Sequence, residues 1–226
     1  VTGENNTAIG KESLTNLTSG ASNTAVGSSV MFFNTTGGFN TAIGNDAFKQ
    51  NTTGARNTCV GNVALDANTT ANDNVAIGNN ALGANTEGSE NTAVGSAALD
   101  ANTTANNNTA IGASALSANT TGTQNTALGN QSLAANITAN NNTAVGYQSL
   151  TANTTGIQNV AVGSGALDAN TTADNNTAVG TNAGSANTTG AETNAFGYNA
   201  LLSNTTGAAN CAFGNSSLDA NTTGGL

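Results

Sequence analysis

The sequence predicts an all-β chain wound as a β-solenoid, a parallel β-roll or β-helix of about thirteen 17-residue coils. Three observations predict it: a repeat of fixed length, a glycine that returns at the same place in every copy, and two apolar columns in register with that glycine.

The repeat comes first, because a fixed period decides the fold ahead of any local propensity. A core of the form Asn-Thr-Ala-Val-Gly starts at Asn6, Asn23, Asn40, Asn57, Asn74, Asn91, Asn108, Asn125, Asn142, Asn159, Asn176, Thr193 and Asn210, without insertion or deletion. Counting from that first residue, the unit reads N-T-A-V/I-G-x-x-A/S-L-x-A-N-T-T-G/A-x-x. Gly, Asn and Thr scattered through every copy, with no apolar stripe at helical spacing, argue against a helical repeat. The expectation is two or three short strands per coil, stacked roughly 4.8 Å apart into a rod on the order of 60 Å with a thin core.

The glycine stands at position 5 in all thirteen copies, as a corner requires when its backbone takes positive φ or passes close to a neighbouring coil. Gly or Ala at position 15 marks a second corner. The apolar columns are position 4, from Ile9 and Val26 to Phe196 and Phe213, and position 9, from Leu14 to Leu218 with one break at Gly184. Reading both columns as buried, strand alternation turns position 2 inward with position 4 and leaves Ala at position 3 facing outward. Such a smooth strip suits close packing against another chain, trimerisation included. Asn at positions 1 and 12 suits turns and side-chain ladders.

A second period of 34 residues overlies the first, with Ala71, Ala105, Ala139 and Ala173 alternating with Gly88, Gly122 and Gly156 at position 15. Asp66, Asp100 and Asp168 follow it at position 10. Duplication of two-unit blocks is the reading favoured over a functional two-coil lattice.

Composition excludes several functions. The only basic residues are Lys11, Lys49 and Arg56, and His is absent, so no Lys/Arg-lined nucleic-acid groove is available. Glu4, Glu12 and Asp46 cancel those three, so the net charge of −9 lies beyond Arg56 and favours solubility. Low charge and few aromatics also describe disordered tracts, but strict periodicity argues against disorder. No apolar run of this stretch suits a membrane span and no basic-then-apolar leader lies within it, so no membrane insertion is expected of it. Val1 to Asn5 read as the last five positions of a repeat and Leu226 falls on a last position, so both ends look cut from repeat sequence and the natural chain is expected to be longer.

Every side chain recurs along a line and nothing unlike converges, so neither an enzyme nor a cofactor is expected. Cys59 and Cys211 are nine coils apart, roughly 43 Å at strand spacing, beyond disulfide reach. The acids are too sparse for calcium coils, so no metal is expected.

A row of Asn-x-Thr/Ser triplets at position 12, Asn34, Asn51, Asn68, Asn102, Asn119, Asn136, Asn153, Asn170, Asn187, Asn204 and Asn221, supplies candidate glycosylation sites. A turn that wants Asn-Thr-Thr for backbone reasons generates the same row. Adjacent Thr at positions 13 and 14 points to opposite sides, which ranks ice binding below a fibre role. Phe32 and Phe33 cannot both enter a core, and with Phe39 they are the candidate subunit contact.

The run Asn107 to Gly112, and copies such as Asn141 to Gly146, resemble the head repeats of trimeric autotransporter adhesins of the YadA type and related phage tail-fibre and surface-fibre repeats. The resemblance implies a parallel β-roll at the cell surface or outside the cell that trimerises and binds a matrix, host surface or glycan. The 17-residue unit is longer than that family's, and no heptad stalk appears. The reading favoured is a structural subunit of an extracellular fibre or filament that partners copies of itself. The alternative is a trimeric adhesin head or tail-fibre module that binds a receptor or glycan.

Overall fold

The computed structural model describes residues 2–225. The chain is an all-β solenoid with strands spaced 17 residues apart and no helix among the described residues. It forms two compact units, Val1–Ala113 and Ser114–Leu226. The first holds β1 (Thr7–Ile9), β2 (Thr24–Val26), β3 (Thr41–Ile43), β4 (Thr58–Val60), β5 (Val75–Ile77), β6 (Thr92–Val94) and β7 (Thr109–Ile111). The second holds β8 (Thr126–Leu128), β9 (Thr143–Val145), β10 (Val160–Val162), β11 (Thr177–Val179), β12 (Asn194–Phe196) and β13 (Cys211–Phe213). Within each unit consecutive strands pair in parallel and in register, so that Ala25 meets Ala42 and Ala42 meets Cys59.

Each coil contributes one three-residue strand among the described residues, not two or three. The rest of the coil is turns, yet its backbone bonds to neighbouring coils almost everywhere. In the coil starting at Asn40, the amides of Thr41, Phe48, Gln50 and Thr52 donate to Asn57 O (2.9 Å), Ala64 O (2.9 Å), Asp66 O (3.1 Å) and Thr69 O (2.9 Å) on one side. Those of Gly44, Asp46 and Arg56 donate to Val26 O (2.9 Å), Ser28 O (3.0 Å) and Gly38 O (3.1 Å) on the other. Backbone groups so enclosed need partners, and the stacked neighbours supply them.

The strand faces are the reverse of the expectation. Ala at position 3 is inside, with Ala25, Ala42, Cys59, Ala76 and Ala93 fully buried, while position 4 is outside, with Ile43 40% and Ile77 39% exposed. The interior of a 17-residue coil is narrow, and at the strand it accepts a methyl but not a branched side chain. The position 9 column is buried as expected, from Met31, Phe48 and Leu65 through Leu150 and Leu201.

Two internal Asn ladders complete the core. Asn23, Asn40 and Asn57 at position 1, and Asn34, Asn51 and Asn68 at position 12, are at most 1% exposed. In each of these coils both amides converge on one carbonyl: Asn40 Nδ2 and Asn51 Nδ2 donate to Gly54 O at 2.9 and 3.1 Å. Each ladder also climbs from coil to coil, Asn51 Nδ2 to Asn34 Oδ1 (2.8 Å) and Asn68 Nδ2 to Asn51 Oδ1 (3.2 Å). The ladders expected from sequence are present, but as buried polar structure in place of solvated turns.

Position 5 glycines have φ between 117° and 147°, a region that side-chain-bearing residues rarely enter. Position 15 glycines are absent from the left-handed set, and the corner there is small because the carbonyl that both amides share lies in it. Left-handed backbone occurs instead at residues without glycine's freedom: Asp46 (φ 51°), Phe48 (φ 54°) and Arg56 (φ 58°) in one coil, and their counterparts in the others.

Candidate interaction surface

The outward side chains of the strands build the longest uniform surface in each unit. Positions 2 and 4 point out together, so in the first unit Thr24, Thr41, Thr58 and Thr92 belong to one column and Val26, Ile43, Val60, Ile77, Val94 and Ile111 to the other, while Thr143 and Thr177 belong to the second unit's own column. In-register parallel pairing repeats each column at roughly 4.8 Å. No residue at positions 1 to 5 of any copy is charged.

The two Thr columns differ. At position 13 the hydroxyl is consumed by the fold: Thr35 Oγ1 donates to Thr52 O (3.0 Å) and Thr52 Oγ1 to Thr69 O (3.0 Å). At position 2, Thr24, Thr41, Thr58, Thr92, Thr143 and Thr177 make no side-chain hydrogen bond to protein among the described residues, and their hydroxyls are open to solvent or a ligand. Sequence reasoning missed this face. The signal that reveals it is size: position 3 is always Ala or Cys, whereas position 4 ranges over Val, Ile, Leu and Phe, as an unconfined column does.

The candidate glycosylation row lies elsewhere, and it is inside. Asn34, Asn51, Asn68, Asn102, Asn119, Asn136, Asn153 and Asn170 are 0% exposed, Asn187 and Asn204 1%, and Asn221 is partly buried. Their Nδ2 atoms, where a glycan attaches, donate within the ladder, as Asn153 Nδ2 does to Asn136 Oδ1 (3.1 Å) and Gly156 O (2.9 Å). A sugar on this row is sterically incompatible with a closed coil. The triplet recurs because the turn needs a buried amide.

Phe33 and Phe39 are 42% and 67% exposed, and Phe32 is half-buried with its ring edge-on to Phe33 at 4.7 Å. Other exposed rings are Tyr147, Tyr198 and Phe213, the last stacked on Phe196 at 4.7 Å. Burial pushes the Cys59 thiol far above its ordinary value, while Cys211 is exposed on the strand face. No cavity and no group of three metal-ligating side chains occurs among the described residues.

Charge sits off the strand face. Arg56 pairs with Asp73 one coil on, Nε to Oδ1 at 2.6 Å and Nη2 to Oδ2 at 2.7 Å, which holds the Asp73 carboxyl below its usual range. Burial raises the carboxyls of Asp66 and Asp100, and Asp66 Oδ1 is buried without a protein partner. A carboxyl raised in the folded state binds protons more readily there than in the unfolded chain. Its contribution is therefore complete below the unfolded value of 3.8 and is lost as pH rises through the folded value. Stability measured by denaturant titration is expected to rise as pH falls from about 7 towards about 4, and the Asp66→Asn/Asp100→Asn variant to flatten that rise. Asp73 works in the opposite sense and only below 3.8, where its pair with Arg56 is lost.

No known protein family, curated protein or solved structure matches this chain.

Proposed function

We propose that this chain is a structural subunit of an extracellular or cell-surface fibre, in which the repeats set length and copies of the chain associate with one another. The observation that carries the reading is the continuity of coil-to-coil bonding around the whole perimeter, which makes each unit of sequence an increment of length rather than part of a pocket. The resemblance of the repeat core to surface-adhesin head repeats supports the extracellular setting.

Electron cryomicroscopy of native material tests the reading. Continuous filaments are the expected result; discrete short trimers would replace it with the adhesin or tail-fibre reading, in which exposed rings such as Phe33, Phe39 and Tyr147 meet a receptor or glycan. If Phe32, Phe33 and Phe39 form a subunit contact, the Phe32→Ser/Phe33→Ser variant keeps its melting temperature and assembles less, as read by sedimentation. Unchanged assembly would remove this patch from the contact.

A further inference from the structure

We infer that the strand face, positions 2 and 4, is the surface by which one copy of this chain packs laterally on another; the inference rests on the self-association proposed above. The argument begins with charge. Two copies at −9 each repel, and their acids stand at positions such as 10, 14 and 17, never at positions 1 to 5. On the strand strip two acidic copies approach without opposing like charges.

Chemistry supplies the second step. A homotypic contact must be self-complementary. The Val/Ile column gains by meeting its own kind, and a hydroxyl both donates and accepts, so Thr hydroxyls that lack a protein partner satisfy one another across such a contact. A basic or acidic partner finds no counter-charge here.

Area sets the strength. Three strand residues by six or seven coils is roughly 300 Å² of projected face for each unit, against roughly 800 Å² per partner in a standard interface. The face of one unit falls short of that, so the association is one that dilution reverses.

The test is light scattering on the full chain across a concentration series. The wild type is expected to show a mass rising above 21.8 kDa with concentration. The Val162→Lys/Val179→Lys variant is expected to show a smaller rise in mass with concentration than wild type, with an unchanged circular dichroism spectrum and melt, because both side chains point outward. Its net charge is −9 + 2 = −7, so simple charge repulsion predicts the opposite, stronger association. The control Thr155→Lys/Thr172→Lys places the same charges on exposed side chains off the strand face and is expected to associate at least as well as wild type. A Val162→Lys/Val179→Lys variant that associates like wild type would overturn the face assignment and leave the fibre reading standing. A wild type that stays monomeric throughout would overturn both, and the face would then belong to another ligand, a glycan or an ordered water lattice among them.

Discussion

Replacing Gly95 by alanine is expected to destabilise its unit by about 3–5 kcal/mol. Two causes act at once. The backbone holds φ at +136°, and a Cβ built there lies 2.6 Å from both Gly112 C and Gly112 O and 3.0 Å from Ala113 N. All three neighbours are backbone, so no side chain can swing aside. Relief requires coils to separate, and that endangers the bonds from Gly95 N–H to Ile77 O (2.7 Å) and from Gly112 N–H to Val94 O (2.8 Å). Chemical denaturation measures the loss. Because a solenoid is coupled mainly through nearest neighbours, hydrogen exchange should show the lost protection centred on those residues and fading coil by coil. A loss under 1 kcal/mol would mean that the corner glycine is a matter of preference and not of necessity.

The second large effect is expected from Asn51→Ala. Asn51 Nδ2 donates to Asn34 Oδ1 (2.8 Å) and Gly54 O (3.1 Å), while its Oδ1 accepts from Gly54 N–H (3.0 Å) and Asn68 Nδ2 (3.2 Å). Gly54 O keeps its bond from Asn40, but Gly54 N–H and the inward atoms of Asn34 and Asn68 lose a partner where no solvent reaches. A buried polar group left unpaired costs about 1–3 kcal/mol, so a loss of about 3–5 kcal/mol is expected for this set. Thermal or denaturant melts should place Asn51→Ala far below an exposed-row control such as Thr53→Ala, which should change stability by less than about 0.5 kcal/mol. Equal melts for the two would show that the ladder is ornamental to stability.

The period, the corner glycine, the Leu column and the Asn ladders were legible in the sequence, because each leaves a fixed residue at a fixed place. The orientation of the strand was not. Ala and Val alternate there, and the rule that larger apolar residues go inside chose the wrong one. In a coil this narrow the interior belongs to Ala25 and its counterparts, and Val26 goes out for want of room. The left-handed backbone at Phe48, Leu65 and Leu82 was equally hidden, since nothing in a Leu or a Phe announces positive φ. Only the stacked neighbours impose it. The burial of the position 12 Asn row was hidden for a related reason: a triplet that looks like a surface signal from its letters is a core motif from its burial.

In-register stacking also restricts how such a gene can change. One residue inserted into a coil shifts the Ala, Leu and Asn columns beyond it out of line with those before it, so single-residue gains and losses are closed to it. Gain or loss of a whole repeat breaks no column, and slippage during replication yields a longer or shorter protein with the same cross-section. Heredity here counts in coils, and the blocks of two that alternate Ala71 with Gly88 and Ala105 with Gly122 are the pattern such copying leaves.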